Sequence, residues 1–254
     1  MRRSDVIAIV LGVVALVFII LGSATTHYIS WFKKPAQPTQ EPLVYSYIGF
    51  GKTLPQLNIT VINQLRESLH EQPLAWSYGL AAFAFYRSLT VVHYWESTGV
   101  FMHAYLQQNI TQWFSPSSAV VYEDLLAVPQ NGGVLTVVPS YTLRYGNTTV
   151  VVNITQAGNS LVISVNGTKI VISTSTSQLL GNLTNDLLLF LIDPGHAYPL
   201  LDPSAKSIGA YATTYALPYT SCTWMQTYEE AYCTGNQQTN WYVIAVEVSN
   251  ETIG

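Results

Sequence analysis

Leu161-Val162-Ile163-Ser164-Val165-Asn166-Gly167-Thr168-Lys169-Ile170-Val171-Ile172 is two runs of apolar and β-branched residues joined by an Asn-Gly pair. Asn and Gly tolerate the positive φ angles of a type I′ turn, whose twist matches that of the strands it joins. The stretch therefore predicts an antiparallel hairpin, Ser160 to Val165 with Lys169 to Thr174. Working outward, Thr148 to Thr155 and Val134 to Pro139 have the same Val, Ile and Thr enrichment and are set off by short Gly and Asn turns. They extend the hairpin into an antiparallel β-meander within a β-rich part at about 119–175.

On the N-terminal side the period changes. Leu57, Val61, Ile62 and Leu65 recur at three and four residues, the spacing of one helix face. Gln72-Pro73 punctuates before an apolar run from Leu74 to Val92, and Val100 to Phe114 is a third helical candidate, giving a helical part at about 54–114. Val44 to Phe50 reads as a first strand. After the meander, Gln178 to Ile192 reads as helix ending at Asp193-Pro194-Gly195. The chain then looks loop-rich until a last strand, Trp241 to Val248, in a disulfide-loop and final-strand region at about 215–250. Helices before and after one antiparallel sheet make the expected fold class α+β.

The first 34 residues have a different character. Val6 to Ala24 holds no charge, and apolar residues resume through Ile29, Trp31 and Phe32 before Lys33-Lys34-Pro35. At about 1.5 Å per residue this run is long enough to cross a hydrocarbon core of roughly 30 Å, with Tyr28 and Trp31 at interfacial depth. Residues 1–34 are expected to form an N-terminal transmembrane helix that anchors the chain in membrane lipid. Cleavage after Gly22-Ser23-Ala24 is the rival reading, and a prepilin-like cut near Ser4 a third. Residues 35–43, with Pro35, Pro38 and Pro42, read as a stiff stalk, and residues 44–254 as an extracellular domain. Leu74 to Val92 is better read as a core helix, or a helix followed by a strand, than as a second span, because Arg87 interrupts it.

Orientation comes from Asn-x-Thr sequons at Asn58, Asn109, Asn147, Asn153, Asn166, Asn182 and Asn250. Chance gives only one or two in a chain with 13 Asn. Their spread argues for N-linked glycans and for one external side holding everything beyond the anchor, with the N-terminus cytoplasmic. Cys222 and Cys233 are the only cysteines, and a close pair in an oxidising exterior is expected to form a disulfide.

Charged residues are 9% of the chain against a usual share of roughly 25%, and the net charge is -4. With no basic block beyond Arg2-Arg3 and Lys33-Lys34, a nucleic-acid surface has no support. The composition, rich in Thr, Asn and Tyr, resembles surface glycoproteins of acid- and heat-loving archaea and their viruses. In acid, carboxylates protonate, so a weakly ionised surface suits that habitat.

Chemistry-bearing residues are few. His93, Glu96 and His103 are the residue types of a zinc site, which needs three ligands and an open position. His196 lies between Asp193-Pro194-Gly195 and Asp202-Pro203-Ser204, without a Gly-x-Ser-x-Gly turn to present a nucleophile. Glu123-Asp124 and Glu229-Glu230 are adjacent acids, ordinarily solvated. Tyr211, Tyr215, Tyr219, Trp224, Tyr228 and Tyr232 could form a sugar- or protein-binding surface or pack as core. No cofactor motif is present. The expected function is a non-enzymatic structural, interaction or accessory subunit of an envelope or membrane complex. Alternatives are an exported metal-dependent hydrolase using His93, Glu96 and His103, and a surface-filament subunit with a mature start near Thr25.

Overall fold

The computed structural model describes residues 43–115, 118–130, 137–158, 160–173, 187–225 and 230–254. The expected anchor at 1–34, nearly all of the stalk, Asn182, Tyr228, Glu229 and most of the expected Gln178 helix lie outside them.

The described residues fold as α+β, built around β11, Thr239–Ser249. β11 is antiparallel to β8, Ser207–Leu217, on one side and to β3, Val121–Pro129, on the other. The two-residue β1, Ala75–Trp76, joins the start of β8 in parallel. In β11 only Asn240 is exposed, because the strand is covered on both faces. Successive side chains of a strand alternate between faces. Tyr242, Ile244, Val246 and Val248 enter one core, whereas Trp241, Val243 and Ala245 enter the other.

The second of these cores lies under α4, Tyr78–Thr98, which is the core helix expected from the Leu74 stretch. Ser77 starts it by accepting a hydrogen bond from the Leu80 N–H at 3.0 Å, and Gly99, at φ 76°, ends it in the left-handed conformation. Gly209 of β8 sets how close this helix lies. A Cβ there would stand 2.2 Å from the Ala81 backbone nitrogen, so α4 rests directly on the strand. No helix among the described residues is long and apolar enough to cross a membrane.

The other face of the sheet meets α3, Thr60–Ser68, α6, Pro194–Leu201, a 3-10 turn at Phe190–Ile192, and the inner face of the meander. The meander is β4, Ser140–Tyr145, β5, Thr148–Ala157, β6, Ser160–Val165, and β7, Thr168–Ser173, paired in chain order. Val150, Val152, Ile154, Leu161, Ile163 and Val165 point inward, and the alternate positions of β5 face water. Asn166 and Gly167, at φ 45° and 92°, make the expected two-residue turn with Val165 opposite Thr168.

A third, small sheet is β2, Val100–Phe101, β10, Glu230–Thr234, and β9, Ser221–Met225, in the order β2-β10-β9. Cys222 and Cys233 are direct cross-strand partners and form the expected disulfide. The Cys233 N–H donates to the Gly99 carbonyl at 2.7 Å, which ties the hairpin to the end of α4.

Four expectations are corrected. Val44 to Phe50 is not a strand but two helical turns, α1, Leu43–Ser46, and α2, Ile48–Gly51. Only Val44 and Gly51 are buried there, so no alternation develops. Val100 to Phe114 opens with β2 and becomes helical only at α5, Leu106–Phe114. The supposed loop after Gly195 contains α6 and the long inner strand β8. Of Val134 to Pro139, the described residues Val137, Val138 and Pro139 are not strand, and β4 begins at Ser140.

Candidate functional site

A single Arg near the middle of an apolar helix must find its partners inside. Arg87 is fully buried, and its side chain meets the face of the central sheet that carries Glu123. The Nε–H donates to Glu123 Oε2, and one Nη2–H donates to Glu123 Oε1 at 2.9 Å, a bidentate guanidinium–carboxylate pair. Nη1 donates to the Ala104 carbonyl at 2.8 Å and to Asn109 Oδ1. Arg87 thus joins α4, β3, the segment after β2, and α5. His103 completes the group, its Nδ1 lying 2.9 Å from Glu123 Oε1.

Glu247 of β11 is the Cα partner of Glu123 and lies on the same face. It is fully buried, and among the described residues neither of its carboxyl oxygens meets a donor. The two acids are pushed apart. Burial raises Glu123, but hydrogen bonds from Arg87 and His103 outweigh it and hold the group below its ordinary value. For Glu247 burial and the Glu123 charge together raise the carboxyl well above its ordinary value, against a smaller pull from Arg87. Asp124, on the opposite face of β3, is also raised well above its ordinary value, by burial first and then by Glu123 and Asp193.

Paired acids with divergent affinities for a proton also occur in active sites. Here the pair lies beneath α4, and Gly209 lets that helix close directly on the neighbouring strand. The group's outward contact is the His103 ring, whose side chain is 32% exposed. The arrangement binds elements together and can hold a proton.

The expected zinc ligands do not assemble. His93 and Glu96 are exposed near the end of α4, whereas His103 is engaged with Glu123. No group of three or more His, Cys, Asp or Glu that could hold a metal occurs among the described residues. His103 follows the left-handed Gly99 and reaches Glu123 instead. Asp193 caps α6, its Oδ1 accepting from the Gly195 and His196 N–H groups at 2.8 and 3.4 Å. Asp202 Oδ1 accepts from the Ser204 N–H at 2.7 Å. These are turn-forming roles. Glu123 and Asp124, read as a solvated pair, are instead both buried, on opposite faces of β3.

Of the tyrosines near the disulfide, Tyr219 stacks on Trp95, and its hydroxyl donates to the Trp95 and Glu96 carbonyls. Tyr215 bonds to Ser88, and Tyr211 meets Phe85 edge-on. Tyr232 is exposed.

Among the sequons, Asn58, Asn147, Asn153 and Asn166 are exposed and Asn250 is half-buried. Asn147 and Asn166 occupy the two turns at one end of the meander, and Asn153 lies on its outer face. Asn109 differs. It is 5% exposed, with Oδ1 on Arg87 and Nδ2 donating to Tyr86 at 3.4 Å. A glycan on that nitrogen would displace the Tyr86 contact and need room that this buried side chain does not have, so the folded domain disfavours Asn109 as an acceptor.

Comparison with known protein families, with curated proteins and with solved structures finds no match.

Proposed function

We propose that this chain is an exported, N-glycosylated surface protein, anchored in membrane lipid by residues 1–34. In this reading it serves as a non-enzymatic structural, interaction or accessory subunit of an envelope or membrane assembly. The observation that carries the proposal is the placement of acceptor asparagines. Asn147, Asn153 and Asn166 are exposed on the outer face and at one end of the meander. The sealing of Arg87, Glu123 and Glu247 beneath α4 supports a role in holding the domain together over one in turnover. The disulfide suits an oxidising exterior.

The test is mild-detergent purification from source membranes, with mass spectrometry of the intact chain and its companions. The proposal expects a retained N-terminal segment, several glycans and protein partners in stoichiometric amounts. A monomer free of glycan and partner contradicts it. The same spectrum addresses the filament alternative, which requires a mature start near Thr25.

A further inference from the structure

Glu247 is a buried acid that the bonding around Arg87 leaves without a donor. Its surroundings can be followed element by element. From α4 the charged group facing it is Arg87, whose bonds go to Glu123, Asn109 and the Ala104 carbonyl. From β3 comes Glu123, directly opposite in register, with Asp124 behind it on the other face. From β8 comes Gly209, which is Glu247's Cα partner on that side and brings Leu80 and Ala81 of α4 close but no charged group. From α5 comes the neutral amide of Asn109, and from the segment after β2 comes His103, which contacts Glu123.

Burying a lone carboxylate without a partner is costly, so such a group keeps its proton. A protonated Glu247 has an O–H to donate, and the acceptor across the ladder is the Glu123 carboxylate. We propose that Glu247 and Glu123 share one proton in the folded protein, and that this proton locks α4 onto the central sheet in acid and releases it as Glu247 ionises.

The charge count gives the sign. With Glu247 neutral, Arg87 faces one carboxylate. With Glu247 ionised, two carboxylates face a guanidinium already committed to the first, in a space closed to water. The upward shift of Glu247 agrees in direction. A group raised in the folded state stabilises the fold below its ordinary value of 4.5, and the contribution is lost as pH rises toward the folded value. Release would begin at Arg87 and extend to α5 and the segment after β2.

The experiment uses the full-length chain in detergent. Thermal melts across acid to alkaline pH are compared for wild type, Glu247→Gln and Asp124→Asn, the last because Asp124 is raised in the same direction. Wild type is expected to lose melting temperature as pH rises above the carboxyl range, and Glu247→Gln to lose much of that slope. Infrared difference spectra of wild type against Glu247→Gln at neutral pH should show a carboxylic-acid band that the variant lacks. Should the variant not fold, isotope-labelled glutamate in wild type separates a Glu band from that of Asp124 without any substitution. The absence of a protonated glutamate band at neutral pH, or equal pH slopes in wild type and Glu247→Gln, overturns the proposal.

Discussion

Arg87 and Arg66 are both removed from water, and they are satisfied in different ways. Arg87 is neutralised by a carboxylate. Arg66 gives its hydrogen bonds to backbone carbonyls of Gln72, Leu200, Asp202 and Ala205 at 2.8–3.1 Å, so it fastens α3 to the end of α6. Burial lowers its proton affinity, partly countered by Glu71 and Asp202. Truncating one partner of a buried ion pair strands the other, so Arg87→Met is expected to cost about 3–5 kcal/mol in denaturant unfolding. Adding Glu123→Leu should recover a large part of that loss, since an apolar replacement of both partners removes the stranded charge. A double variant no more stable than the single one would contradict the pairing. In the sequence, Arg87 was legible as an interruption that counted against a second membrane span. Its partners were not, because Glu123 and Glu247 are brought opposite each other by a pairing of β3 and β11 that joins positions more than a hundred residues apart.

At the scale of elements, local chemistry decided what could be read. The β6–β7 hairpin carries its own turn residues, and β5 and β6 carry their own alternation, so the meander was visible without knowledge of the core. β8 was not. Its Gly209, Ala210, Ala212 and Ala216 are poor advertisements for a strand, yet Gly209 has no side chain because α4 lies against it. Gly209→Ala should therefore overpack this contact and lower stability by about 1–3 kcal/mol, measured by thermal or denaturant unfolding. The disulfide was readable from the close spacing of the two cysteines together with the expected oxidising exterior, but its attachment to Gly99 was not. Replacing Cys222 and Cys233 by Ser should cost about 2–3 kcal/mol by the loop-entropy argument and should loosen hydrogen exchange first in β9, β10 and β2. Uniform exchange across the domain would count against that local role.

Across the whole molecule, low charge and the buried acids point the same way. Glu247 and Asp124 are raised, so both favour the fold in acid, whereas the lowered Glu123 favours it above the ordinary carboxyl value and weakens it as pH falls. With two groups opposing one, folding should persist below about pH 4, near the ordinary carboxyl values, and a collapse there in a melt series would refute an acid-adapted domain. The sequons were readable as a set, and their side of the membrane was inferred from their spread. Sequence could not separate Asn109 from the rest, because its burial depends on Arg87, 22 positions away along the chain. The most direct test of an exported, glycosylated surface domain is site-by-site glycopeptide mapping of the chain purified from its own source. The account predicts glycans on Asn147, Asn153 and Asn166 and an unmodified Asn109, and bare asparagines at all three meander sites, or a glycan on Asn109, would contradict it.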